Sequence, residues 1–256
     1  MNDGVRYGDI DAARRGEILR TLVGSGVHGI AIEGTDDRDE MGIFVEPVDH
    51  IIGIRPAIET VVFRTQPEGV RSGPGDLDLV YYGLQKYLRL AAKGNPTALL
   101  PLWCADADVL DATTEGWELR GIRAAFMSRQ AVRRFLGYLT AQHTRMMASV
   151  QRNVPNRPEL VERFGYDVKY AAHALRLAYE GLEIAYNGTL TLPLVPRLRD
   201  TVLSVKRGEW AKEIVSHEIL ARVRDIETEL PKSPLPEDPD WDRINSFCVD
   251  TYKRRL

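Results

Sequence analysis

Cysteine is scarce in this chain. Cys104 and Cys248 are the two among 256 residues, far apart and without a CxxC or Cys/His spacing. That argues against a disulfide framework and a structural zinc site, and suits a reducing cytoplasm. Long apolar runs are missing too: no stretch approaches the roughly 18 residues of a membrane helix. The opening M-N-D-G-V-R-Y-G-D-I has no apolar core for a signal peptide. The expectation is a soluble, cytoplasmic protein with no membrane partner. Nor is there an excess of one charge, since 34 Lys+Arg stand against 37 Asp+Glu for a net −3. This argues against binding nucleic acid by bulk electrostatics and leaves room for a local basic groove. Internal repeats and low-complexity tracts are absent.

What is present divides into two textures. Residues 10–22 carry apolar side chains at helical spacing (Ile10, Ala13, Ile18, Leu19, Leu22), with Asp9 or Asp11 as N-cap. Short strand candidates follow at 21–24, 29–33, 41–46, 59–64 and 76–80, separated by Gly, Pro and Ser. The separation is densest over 66–75, which reads as an exposed loop. A helix from Tyr82 stops at Gly94-Asn95-Pro96. Beyond about residue 105 the pattern turns helical, with candidates at 129–151, 167–186, 208–229 and 240–254 and Pro-rich linkers at 191–196 and 231–239. In 167–186, Val168, Ala171, Leu175, Ala178, Leu182 and Ala185 form one apolar stripe before Asn187-Gly188. The expected architecture is α+β: a mixed-sheet catalytic domain over 1–105 and an all-helical domain over 106–256. Trp103 and Trp117 are expected in the core.

The chemistry concentrates in the first third. An apolar segment runs into Gly24-Ser25, and eleven residues later come Asp37-Arg38-Asp39, entering the strand-like Met41-Gly42-Ile43-Phe44-Val45. A small-residue turn brings backbone N–H groups close to a phosphate. Carboxylates at i and i+2 of a strand share a face. Nucleotidyl transfer uses two metal ions roughly 3.5–4 Å apart, and Mg²⁺ prefers carboxylate oxygens, water and substrate phosphates. Two or three acids must therefore converge from neighbouring strands. Asp37 and Asp39 supply two, and Asp78 is the best-placed third, with Asp76 on the same face as its alternative. By itself an Asp-x-Asp in a charged run is more often a solvated turn. The ordered combination is what points to a site.

These residues resemble the DNA polymerase β-type nucleotidyltransferase superfamily, through Gly24-Ser25 followed by Asp37-x-Asp39. More narrowly, D-L-D-L-V-Y-Y-G-L-Q-K-Y-L-R-L-A-A-K-G-N-P-T-A-L-L-P-L-W (76–103), Y-D-V-K-Y-A-A-H-A-L-R-L (166–177) and R-G-E-W (207–210) are similar to predicted bacterial and phage nucleotidyltransferases linked to RNA repair. The resemblance spans about 20–245. It implies a polymerase β-like core with a helical C-terminal half, an NTP substrate, and Mg²⁺ with Mn²⁺ as alternative. It implies Asp37, Asp39 and Asp78 as catalytic metal ligands and Gly24 and Ser25 as triphosphate contacts. Many relatives carry an Arg and an aromatic after the Gly-Ser, where this chain has Gly26, Val27 and His28. His28 is either a partial replacement or a hydrogen-bonded turn residue.

Lys93 and Asn95 either meet a phosphate or form a plain helix stop. A second stripe on 167–186 holds Lys169, His173, Arg176, Glu180 and Glu183. It either faces the nucleotide, with Lys169 and His173 foremost, or is the polar side of an amphipathic helix. His143 with Arg145, and Arg129 with Arg133 and Arg134, form a basic stretch suited to nucleic acid or to a solvated face. The expected reaction moves an NMP from an NTP to an acceptor hydroxyl, with an RNA or tRNA end as acceptor through the resemblance. The alternatives are a catalytically silent nucleotide-sensing or RNA-binding module on the same fold, and an AMPylase-type enzyme acting on protein.

Overall fold

The computed structural model describes residues 5–32, 34, 37–148 and 157–255. In chain order the elements are β1 (Val5–Tyr7), α1 (Ile10–Gly16), β2 (Glu17–Leu22), β3 (Arg38–Phe44), α2 (Val48–Ile51), β4 (Thr60–Arg64), β5 (Leu77–Gly83), α3 (Leu84–Ala92), α4 (Pro96–Trp103), β6 (Val109–Ala112) and α5 (Thr114–Gly121). Then come α6 (Arg129–Ala148), α7 (Pro158–Phe164), α8 (Val168–Asn187), α9 (Pro196–Lys206), α10 (Lys212–Glu229) and α11 (Trp241–Lys253). The chain divides into two compact units, 1–126 with 240–256, and 127–239. The boundary expected at 105/106 falls inside the first unit, and α11 returns to that unit rather than to the helical one. The class is α+β, with the helical segment late in the chain. Among the described residues no helix is long and apolar enough to cross a membrane.

The first unit is built on a six-stranded sheet of order β1-β4-β5-β3-β2-β6. β3 and β5 run parallel, and the other neighbours pair antiparallel. On one face Ile10 and Ala13 of α1 pack with Phe44, Val61, Leu79 and Tyr81. The Tyr81 ring fits because it lies over Gly42, where a Cβ would overlap its Cδ1 and Cε1. The Tyr81 hydroxyl then donates to Glu17.

Several elements differ from the sequence reading. The helix expected over 10–22 ends at Gly16, and 17–22 is strand. Asp9 caps the helix by accepting from Ala12 N–H at 2.8 Å. At Gly16 a side chain would run into Val45 carbonyl oxygen, and beyond it Ile18 and Leu19 are better buried by pairing with β3 and β6. The strand expected at 29–33 is a turn and an irregular segment over the residues described. Asn95-Pro96 stops one helix and starts another, because Asn95 caps α4 through Thr97 and Ala98 N–H and Pro suits the first helical turn. The Pro-rich stretch at 191–196 leads into α9, and α10 begins at Lys212 rather than 208. Gly208, at φ +77°, turns the chain beside the Phe164 ring. Residues 149–151 of the expected 129–151 helix lie outside those described. Trp103 is buried, but Trp117 is 45% exposed with Arg120 stacked on its ring.

In the second unit the apolar stripe of α8 is buried except at half-buried Leu182, with Leu175 fully enclosed. Gly181 lets Phe135 of α6 and Ile226 of α10 approach that helix.

Candidate functional site

Asp39 on β3 is the register partner of Asp78 on β5, in the parallel pair. Side chains of directly opposed residues leave a sheet on one face, about 4.8 Å apart. Asp37 precedes Asp39 by two residues and so leans the same way. Each offers a carboxylate oxygen, all within 4.8 Å of one another, and all three residues are partly exposed. Three like charges this close repel unless a cation lies between them. The donor set is all carboxylate and open to solvent, as a magnesium or manganese centre requires. The residues present fit such an ion.

The turn over 24–29 lies against this cluster. Val23 N–H donates to Asp39 carbonyl oxygen at 2.9 Å, continuing the β2–β3 ladder into the turn. Gly24 has φ +73°, and a Cβ there would overlap Asp39 Oδ2. Glycine is required twice over, for the backbone and for the carboxylate. Ile30 N–H closes the turn on Ser25 carbonyl oxygen at 3.1 Å, and Gly29 N–H on that of Gly26 at 2.8 Å. His28 is packed inside, 2% exposed.

The β4–β5 connection supplies residues that the sequence reading passed over. Gln66 Nε2 donates to Asp78 Oδ1 at 2.8 Å and Ser72 Oγ donates to Asp78 Oδ2 at 2.6 Å. Arg64, directly opposite Asp78 on β4, brings Nε to 3.3 Å from Oδ1. Gln66 is 4% exposed, although its segment is rich in Gly and Pro. The available signal was the strand period, which puts Gln66 two residues beyond Arg64 on the Asp78 side. Asp76, the alternative third acid, is spent on the loop: it accepts from Thr65 Oγ1 at 3.1 Å and from Gly73 N–H at 2.9 Å.

Beneath the acids, on the other face of β3, Glu40 is 3% exposed. Arg20 Nη1 reaches it at 2.7 Å and Arg38 Nε at 2.6 Å. Arg38 lies between Asp37 and Asp39 in sequence, so this pairing anchors the strand's leading end from below.

Among the remaining candidates, Lys93 is exposed at the C-terminus of α3. The carbonyl of Asn95 is engaged in capping. Lys169 and His173 belong to the second unit, Lys169 exposed and His173 half-buried on α8. The centre of that polar stripe is internal instead: Arg176 pairs with Glu180 at 2.6 Å, both buried. Part of the basic stretch is also engaged: Arg129 donates to Ser233 carbonyl oxygen at 2.8 Å, and Arg133 is neutralised by Glu237. His143 is bonded to Ser216 at 2.8 Å, and burial lowers its pKa.

A mixed sheet carrying three converging acids beside a glycine turn defines a nucleotidyltransferase of the polymerase β type. The model of the RNA repair pathway DNA polymerase beta family, RlaP, matches residues 16–250, and the chain belongs to that family. No curated protein matches it. A nucleotidyltransferase-like protein from Exiguobacterium sibiricum is 14% identical over 87% of this chain and 71% of that one, with a TM-score of 0.31. At that score the likeness carries no argument of its own. Family and fold together make this chain a polymerase β-like nucleotidyltransferase linked to RNA repair.

Proposed function

We propose that the protein transfers an NMP from an NTP to the hydroxyl of an RNA end, tRNA included, with Mg²⁺ or alternatively Mn²⁺ as cofactor. The observation that carries this reading is the meeting of Asp37, Asp39 and Asp78 within 4.8 Å on one face. The metal, when bound, supplies charge neutralisation for the attacking and leaving oxygens. Asp37, Asp39 and Asp78 are the side chains that would hold it.

The chain's own groups then have separable tasks. Gly24 and Ser25 present backbone N–H groups to the β- and γ-phosphates, in a turn kept narrow by the glycine. An oxygen of Asp78 takes the proton from the acceptor hydroxyl. That hydroxyl's oxygen bonds to the α-phosphorus as the bond to pyrophosphate breaks. Arg64, about half exposed beside Asp78, supplies a fixed positive charge on the acceptor side. On the family resemblance, Lys93 and Asn95 are further nucleotide contacts. Both cysteines are free, which fits a reducing cytoplasm.

The test is incubation with each NTP labelled at the α-phosphate, Mg²⁺ and total RNA, beside the Asp37→Asn/Asp39→Asn variant. Label on RNA that the variant does not produce is the expected result. Label on protein would redirect the assignment to AMPylation, and nucleotide binding without transfer to a silent sensor.

A further inference from the structure

We propose that Gln66 and Ser72 are positioning residues that hold the Asp78 carboxylate against Asp37 and Asp39. This rests on the reading of those three acids as a metal centre.

The connection that carries the two residues is folded back on itself. Thr65 N–H donates to Leu77 carbonyl oxygen at 3.1 Å, and Leu77 N–H returns to Thr65 Oγ1 at 2.8 Å. Asp76 closes the far side through Thr65 and Gly73. The β4–β5 loop is thereby buckled at its base by groups other than Asp78. Within it, Gln66 Nε2 donates to both Ser72 Oγ and Asp78 Oδ1, while Ser72 Oγ donates to Asp78 Oδ2. Polarity fixes this direction. An ionised carboxylate only accepts, so the amide must turn its NH₂ towards Asp78 and the serine hydroxyl must give its hydrogen to the same group.

The arrangement costs the fold something. Turned this way, Gln66 Oε1 is buried with no partner among the described residues, and a buried acceptor left unsatisfied is destabilising. A leucine or methionine would fill the space without that penalty, so volume alone does not account for the residue. Its donors do. Before a cation binds, repulsion from Asp37 and Asp39 drives Asp78 towards other rotamers. Two donors, one on each oxygen, hold it in place, while a carboxylate's roughly four acceptor directions leave capacity for a ligand. Partners behind a metal-binding carboxylate typically affect metal affinity or activity by about 10–100-fold.

The experiment titrates Mn²⁺ alone into the full-length protein, read by electron paramagnetic resonance of the free ion, with thermal melts alongside. Steady-state transfer is then measured at saturating metal. Wild type is compared with Asp78→Asn, Gln66→Met, Ser72→Ala and Ser72→Thr. Expected are about 10–100-fold weaker Mn²⁺ binding for Gln66→Met and Ser72→Ala and a fall in kcat with KM for the NTP little changed. Ser72→Thr, which restores the hydroxyl, should recover most of both. Ser72→Thr as impaired as Ser72→Ala, or Mn²⁺ affinity unchanged in both Gln66→Met and Ser72→Ala while Asp78→Asn loses it, overturns the positioning role alone. Asp78→Asn binding Mn²⁺ as tightly as wild type overturns the metal centre, and the positioning role with it.

Discussion

Asp39 and Asp78 are register partners across the parallel seam between β3 and β5. One strand arrives there from the Gly-Ser turn, the other from the loop that carries Gln66 and Ser72. The pairing therefore brings the proposed phosphate-binding turn and the proposed acceptor-side groups to a common point. A one-residue slip would send one acid to the opposite face.

Removing one charge from this cluster separates chemistry from folding. Asp37→Asn or Asp39→Asn should lower transfer by about 1,000-fold or more, since several kcal/mol of charge stabilisation are lost. Stability should stay level or rise slightly as carboxylate repulsion is relieved. Single-turnover assays and thermal melts of the same preparations check both halves.

Gly24→Ala is expected to harm both. Its φ of +73° strains any side chain, and the new methyl displaces Asp39 Oδ2. A loss of about 1–3 kcal/mol in urea unfolding should accompany about a 100-fold fall in turnover, the scale of an ångström-sized misplacement.

Asp76 and Asp78 should behave differently despite sharing a strand face. Asp76→Asn disturbs a loop buckle and should cost about 1 kcal/mol with turnover within a few-fold of wild type. Asp78→Asn should be inactive and well folded. Assaying the two side by side checks the assignment.

In the second unit, Leu175→Ala empties a fully buried position. It should destabilise by about 2–5 kcal/mol, and Mn²⁺ affinity of the folded protein should be unaffected.

Glu46, 5% exposed, accepts from Leu84 N–H at 3.2 Å and from the Tyr252 hydroxyl. Burial pushes its carboxyl above the usual value of 4.5, against the opposing pull of those hydrogen bonds. A raised pKa means that its stabilising contribution is full below the usual value and is lost as pH rises through the folded one. Wild type should therefore lose stability relative to Glu46→Gln between about pH 4 and neutrality. Urea unfolding of both proteins across that range measures the difference, and a constant difference would refute the assignment.

The local sequence determined whatever depends on near neighbours. Asp37-x-Asp39 at strand spacing, the Gly24-Ser25 turn, the Asp9 cap and the apolar stripe of α8 all follow from period and residue type, and the structure contains each of them. Tertiary structure decided what depends on distant partners. Residues 17–22 carry apolar positions that suit a helix as well as a strand, and pairing with β3 and β6 resolves the choice. Asp76 and Asp78 share a face, and the hairpin's own hydrogen bonds take the first while register delivers the second to Asp39. Gln66 stands in a segment whose composition reads as exposed, and it is buried because the loop folds back over the acid it supports. Arg176 and Glu180 lie on a stripe that looks solvated and pair inside the helical unit. Periodicity encodes which face a side chain leaves from, but only the packed chain supplies what that face meets.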